Sequence, residues 1–362
     1  MQITLFTGAG ASRAIGYPLT RQLLPRVRTD LRDGTLFRGM SSRQKEKKER
    51  VELEKYLSRL LLGFETVEDA ELPLITDVFS MVEYALVTGE ALPIGGEERL
   101  RRCRDLLKQA ITDVILGDYL AKWEDGNPDH TREKVVLKKL VDWIDRKKRM
   151  VGLVTTNYDI GIDHELYKRH GRARAGKEDV YRIVDLGFDW RHVGKQDVCT
   201  RPRDPQVRVY KLHGSLDTLV CRACGYVYFN PQGSIVHQAF REALDDDNTC
   251  ICRDDLRLEL HIVSPSLVRD IRDANLLGVW RSALEWMRTS DRWIIVGYSL
   301  PPEDLAVRSL LLRAYHGASS KPEITVVQNG NQEQARYRVL FPDCRYETNG
   351  LEGFLDGAAQ AL

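Results

Sequence analysis

No apolar run in the 362-residue sequence approaches the roughly 18 residues that a membrane-spanning helix needs. The start is not expected to be a secretory leader. Met1 to Phe6 is short, lacks basic residues and runs straight into Gly8-Ala9-Gly10. Charge of one sign is not in excess. Lys and Arg number 54 against 53 Asp and Glu, a net +1, so there is no global case for a nucleic acid or an anionic membrane as partner. Cysteine is scarce. Seven residues, an odd number with four of them clustered, argue against a disulfide framework and suit a reducing cytoplasm with one metal site. A P-loop is missing too: Gly176-Lys177 and Gly194-Lys195 are followed by Glu178 and Gln196, where that motif needs Ser or Thr. There is also no internal repeat, low-complexity tract or flexible linker.

What is present is ordinary globular material, with 43% hydrophobic and 30% charged residues. At about 150 residues per domain, the length suits about two domains. Gln2 to Phe6 reads as a buried first strand, stopped by glycines, with helical periodicity resuming near Leu19. From 34 to 149 the pattern is amphipathic helix. Leu53, Tyr56, Leu57, Leu60, Leu61 and Phe64 keep the i, i+3, i+4 spacing, as do Cys103, Leu106, Leu107, Ala110, Ile111, Val114 and Ile115, and again Leu137, Leu140, Val141 and Ile144. Charge runs at 43–55 and 146–149 mix signs or end a helix, and read as solvated faces.

After 149, strands at 151–155, 207–212, 293–296 and 324–327 alternate with helices, which implies βαβ units. The expected fold is α/β: a Rossmann-like parallel sheet with helices on both faces, formed by 1–33 and 150–362. The segment 34–149 is a helical insertion, and 219–262 is a small cysteine module.

Chemistry-bearing motifs fall at strand ends, where open α/β sheets bind ligands. Thr7-Gly8-Ala9-Gly10-Ala11-Ser12 joins the first strand to a helix. Glycines there let backbone N–H groups approach a pyrophosphate, although position 13 is Arg and the same residues also make a tight turn. Thr155-Thr156-Asn157-Tyr158-Asp159 offers an Asn and an Asp for ribose hydroxyls or an attacking water, or else a helix cap. Lys211-Leu212-His213-Gly214-Ser215 places a His as a candidate general base, or as a structural one. Gly297-Tyr298-Ser299-Leu300-Pro301 and Asn329-Gly330 close two later strands. Cys221-x2-Cys224 and Cys250-x-Cys252 can close a tetrahedral zinc site, with His237 or His261 as a substitute for one ligand.

In this order, and with Gly16-Tyr17-Pro18 after the first, these motifs resemble the sirtuin family over 1–30 and 150–345. The resemblance implies that Gly8, Ala9, Gly10 and Ser12 bind the NAD pyrophosphate, and that Asn157 and Asp159, with Thr155 beside them, hold the nicotinamide ribose end. His213 matches the catalytic His, while Gly297, Ser299 and Asn329 line the adenosine side. Two features depart from protein deacylases. Pro18 is followed by Leu19-Thr20 instead of Asp-Phe-Arg, and Ile262-Val263-Ser264-Pro265-Ser266 stands where a Phe-Gly-Glu strand pairs with the acyl peptide. A kept cofactor half with an altered peptide half, together with the phrase 297–304, is similar to the sirtuin-like NAD-cleaving effectors of prokaryotic anti-phage systems.

The leading expectation is therefore an NAD+ hydrolase with Asn157, His213 and Asp159 as catalytic residues, NAD as substrate and one structural zinc on Cys221, Cys224, Cys250 and Cys252. A deacylase or ADP-ribosyltransferase is the alternative enzyme, and a non-catalytic NAD or ADP-ribose scaffold the alternative class. A cytoplasmic homo-oligomer is expected. Only about one helix-strand-helix follows Asn329, so a separate activator is expected as well, in relatives of this size often a HerA-like ATPase.

Overall fold

The computed structural model describes residues 1–38, 42–123, 131–147, 149–172, 183–192, 198–229, 249–266, 273–302 and 304–360. The chain opens with strand β1 (Ile3–Thr7), α1 (Ala9–Ala14) and α2 (Thr20–Arg32). Helices α3 (Arg43–Leu60), α4 (Ile75–Thr88), α5 (Glu97–Trp123) and α6 (Thr131–Arg146) precede β2 (Val151–Thr155) and α7 (Gly161–Arg172). A run of strands follows: β3 (Val184–Asp185), β4 (Trp190–Arg191), β5 (Val198–Cys199), β6 (Val207–Lys211), β7 (Gly214–Val220), β8 (Val227–Phe229), β9 (Thr249–Cys250), β10 (Arg253–Arg257) and β11 (Glu259–Ile262). The last third alternates: α8 (Ala274–Thr289), β12 (Arg292–Val296), α9 (Leu305–Gly317), β13 (Glu323–Val327), α10 (Gln334–Leu340), β14 (Arg345–Glu347) and α11 (Gly350–Gln360).

Seven strands form one parallel sheet in the order β14-β13-β12-β1-β2-β6-β3. β1 and β2 are buried at every position because helices cover both faces, so they read as continuous apolar runs. Alternation decides which face each side chain meets. Ile3, Leu5, Val151 and Leu153 enter the core shared with α2 and the helical insertion, while Phe6, Val154, Trp293 and Ile295 face α8, α9 and α10. The insertion is therefore part of the main core and not an appended body. Gly152 is required in β2: a Cβ there would lie 2.2 Å from the indole nitrogen of Trp286.

The strand order reverses at β1. β2 and β6 lie to one side and β12 and β13 to the other, and the register Thr7↔Val296 and Thr7↔Thr155 brings their C-terminal ends level. Ligands of open α/β sheets gather at such a reversal. Beside this sheet lie a five-stranded sheet, β11-β7-β8-β4-β5, and a two-stranded one, β10-β9. The expected boundary of the cysteine module at 219 falls inside β7, whose earlier residues already pair with β11.

Candidate active site

A cleft of about 620 Å³ opens over the C-terminal ends of the central strands, a volume suited to a small-molecule ligand. Ala9, Gly10, Ser12, Asn157, Asp159, His213, Gly297, Ser299 and Asn329 all line it, so residues from every strand-end motif meet in one place. Gly8 and Thr155 are not among the lining residues. The Thr155 hydroxyl donates to the Thr7 carbonyl (3.2 Å) and accepts from the Asn157 amide (3.1 Å), so this side chain shapes the turn that presents Asn157.

The two glycine N–H groups of the first turn, expected to face a pyrophosphate, are engaged within the protein. The Gly8 N–H donates to the Val296 carbonyl (3.0 Å) and the Gly10 N–H to the Gly297 carbonyl (2.8 Å), so neither points an N–H at a ligand anion. Their role is close approach. A Cβ on Gly8 would lie 2.6 Å from the Cα of Tyr298, and one on Gly10 would lie 2.8 Å from the Cα of Gly297. Gly297 in turn has φ +63, and its Cβ would meet the Ala11 nitrogen at 2.2 Å. Three glycines thus weld the β1 and β12 turns into one floor.

Asn157 stands on that floor with its orientation settled. Its Nδ2 donates to the Gly8 carbonyl (2.9 Å) and to Ser12 Oγ (2.7 Å). A carbonyl can only accept, so the nitrogen faces Gly8, and Oδ1 is the atom Asn157 brings as an acceptor. Ser12 Oγ passes the polarity on by donating to Asp159 Oδ2, while Asp159 Oδ1 accepts from the Gly161 N–H (3.3 Å). The Asp159 carboxylate is buried and turned inward. Burial pushes its pKa up, opposed by the nearby Lys211 charge and the Ser12 hydrogen bond. Asp159, expected to orient substrate with Asn157, lines the cleft and is also joined to Asn157 through Ser12.

His213 projects from the turn between β6 and β7. Its Nδ1 lies 3.1 Å from the Thr156 carbonyl, which can only accept, so the neutral ring carries its proton there and keeps Nε2 as the basic nitrogen. Tyr158 and Trp280 pack near the ring. Gly214 makes the tight turn possible: its φ is +84, and a Cβ would lie 1.9 Å from the His261 carbonyl.

At the far end, the loop bearing Ser299 is pinned by the Tyr298 carbonyl, which accepts from Gln328 Nε2 (2.6 Å) and Tyr337 Oη (2.5 Å). Asn329 bridges to Asn349, and Gly350 packs on its carboxamide.

The four clustered cysteines come together, with every sulfur within 4.8 Å of the others. Cys221 and Cys252 are 3.7 Å apart and Cys224 and Cys250 3.5 Å, too far for disulfides. Zinc–sulfur bonds of about 2.3 Å in a tetrahedron put sulfurs about 3.8 Å apart, so this set fits such an ion. The short second spacing works because Ile251 and Cys252 occupy the turn between β9 and β10. His261 is not needed as a ligand. Its Nε2 lies 3.2 Å from Asp273 Oδ1. His237 lies outside the described residues.

Two contributors, the insertion's cleft residues and Lys211, were given no role at the site by the sequence. Leu74, Thr76 and Ile115 of the insertion form part of the cleft wall. Lys211 is buried beneath Asp159, and its position at the end of a buried strand was the available signal. Finally, 262–266 is tied down from several sides. Lys108 Nζ donates to the Ile262 carbonyl (3.2 Å), Tyr158 Oη to the Val263 carbonyl (2.7 Å), the Val263 N–H to the His213 carbonyl (2.9 Å) and Ser264 Oγ to Glu83 (2.8 Å).

No family model matches the sequence, and no curated protein matches it significantly. Among solved structures it is similar to a Sir2 in complex with the inhibitor EX-527, 2′-O-acetyl-ADP-ribose and a deacetylated peptide, at 11% identity and TM-score 0.41 over 99% of this chain and 93% of that one. It is also similar to a Sir2 homolog–NAD complex, at 13% identity and TM-score 0.43 over 99% of this chain and 88% of that one. Likeness at this level assigns no role to any residue here.

Proposed function

We propose that this chain is a sirtuin-like NAD+ hydrolase that splits the nicotinamide–ribose bond with water, giving nicotinamide and ADP-ribose. The supporting observation is that an oriented Asn157 carboxamide and His213 line one cleft at the strand-order reversal, and that this cleft runs on to Ser299 and Asn329. The carbon–nitrogen bond breaks with its electron pair leaving on nicotinamide, and positive charge builds on the ribose. Asn157 Oδ1 accepts from a ribose hydroxyl or the attacking water and orients it. His213 Nε2 takes the proton released as water adds to the anomeric carbon, help typically worth about 10² to 10⁴ in rate. Cations for the pyrophosphate are at hand in Arg13 and Arg21 on the cleft wall, since the Gly8 and Gly10 amides are engaged.

Hydrolysis is favoured over deacylation by the state of 262–266. An acyl peptide binding by strand addition needs free backbone groups, and here the Ile262 and Val263 carbonyls and the Val263 N–H are already bonded. Unchecked loss of a shared cofactor harms the cell that makes the enzyme. We therefore extend the reading to a homo-oligomeric anti-phage effector released by a separate activator such as a HerA-like ATPase. The test is product analysis with NAD alone and with NAD plus an acylated peptide. Nicotinamide and ADP-ribose formed equally in both supports the reading; nicotinamide released only with peptide, as acyl-ADP-ribose appears, overturns it.

A further inference from the structure

We infer that Lys211 is a positioning residue for the proposed reaction, a buried ammonium that braces the 156–163 loop and so aims Asn157; the inference rests on the hydrolase reading. Lys211 ends β6 in the main sheet and is 8% exposed, with Asp159, Asp163 and Asp217 buried around it. Its Nζ donates to Asp163 Oδ2 (2.7 Å) at the start of α7, to the Asp159 carbonyl and, at 3.4 Å, to the Tyr158 carbonyl. One side chain thus joins the neighbouring strand to three points of the segment that carries Asn157. The next link runs from Asp159 through Ser12 to the Asn157 amide. Lys211 is not among the residues that line the large cleft, so its contribution runs through the loop it holds.

An apolar residue would fill the space behind a catalytic loop more cheaply than an ammonium facing three carboxylates, because burying charge is costly unless geometry and hydrogen bonds are excellent. What the ammonium adds is direction. It offers three donors to two carbonyls and one carboxylate, which no aliphatic side chain can do. On the opposite side, Lys211, Ser215, Asp217, Tyr167 and His261 line a small cavity of about 20 Å³, so Asp217 faces the brace from β7, Tyr167 from α7 and His261 from β11.

The test uses the full chain with Lys211→Met and with Lys211→Met/Asp163→Asn. The double variant removes both ends of the ion pair, which is often tolerated when removing one end is not. In whichever variant unfolds cooperatively, kcat for NAD should fall about 10²-fold with KM within about threefold, the signature of a displaced group and not of lost binding. Hydrogen exchange at the amides of 156–163 reads the same brace without substrate and should speed up about tenfold or more. Unchanged kcat and unchanged exchange in a folded variant overturn the inference. If wild-type protein leaves NAD intact while exchange rises as expected, the hydrolase reading fails and the brace stands.

Discussion

At the scale of single residues, the site is defined by which atoms can only accept. The Gly8 carbonyl orients the Asn157 amide, and the Thr156 carbonyl orients the His213 ring. Asn157→Asp would set a carboxylate oxygen against the Gly8 carbonyl, so this near-isosteric change should be as damaging as Asn157→Ala. Both should lower NAD turnover about 10²-fold or more, measured as nicotinamide release. His213→Ala should lower it by about 10² to 10⁴. Asp217 makes a separate prediction. Burial first, and Asp163 second, push its carboxyl up to about 6, against the pull of Lys211. A raised folded-state value means the neutral form favours the fold. This contribution is complete below the ordinary Asp range and is lost as pH rises through about 6. Asp217→Asn should therefore flatten the melting temperature between pH 4 and 7, and an unchanged slope would contradict the assignment. Asn157 and His213 were legible because polar residues at the ends of apolar strands stand out. The inward turn of Asp159 was not legible, since its partner Ser12 is 147 residues away in sequence.

At the scale of elements, the parallel strands were the most readable feature: four apolar, β-branched runs, each ending in a turn, became β2, β6, β12 and β13. The glycine turns were visible but their use was not. Their missing side chains serve the contact between two loops that are far apart in sequence. Gly152 was likewise silent, because only the fold puts Trp286 over it. Gly152→Val should cost at least about 2 kcal/mol, seen as a lower denaturant midpoint, whereas a neutral effect would mean that Trp286 packs elsewhere. The cysteine set should carry one zinc per chain. Chelation should lower the melting temperature by about 5 °C or more, because metal binding and folding of such sites are coupled. Protein purified without chelators and free of zinc by elemental analysis would contradict this.

Across the whole molecule, the helical insertion proves to be more than a covering layer. It shares the main core with the sheet, supplies Leu74, Thr76 and Ile115 to the cleft, and reaches 262–266 through Lys108 and Glu83. Amphipathic spacing showed that these segments are helices; which site they would close could not be read from spacing alone. Met81, Tyr84 and Val87 remain exposed along α4, in keeping with self-association through the insertion. Light scattering at micromolar concentration should return a multiple of the chain mass, and a clean monomer would count against that.

The central claim is that water receives the ribose. Running the reaction in ¹⁸O-labelled water with NAD as sole substrate tests it most directly. One labelled oxygen should appear in ADP-ribose and none in nicotinamide, and the signal should disappear in His213→Ala. Unlabelled ADP-ribose, or ADP-ribose recovered only as an acyl ester or bound to protein, would contradict it.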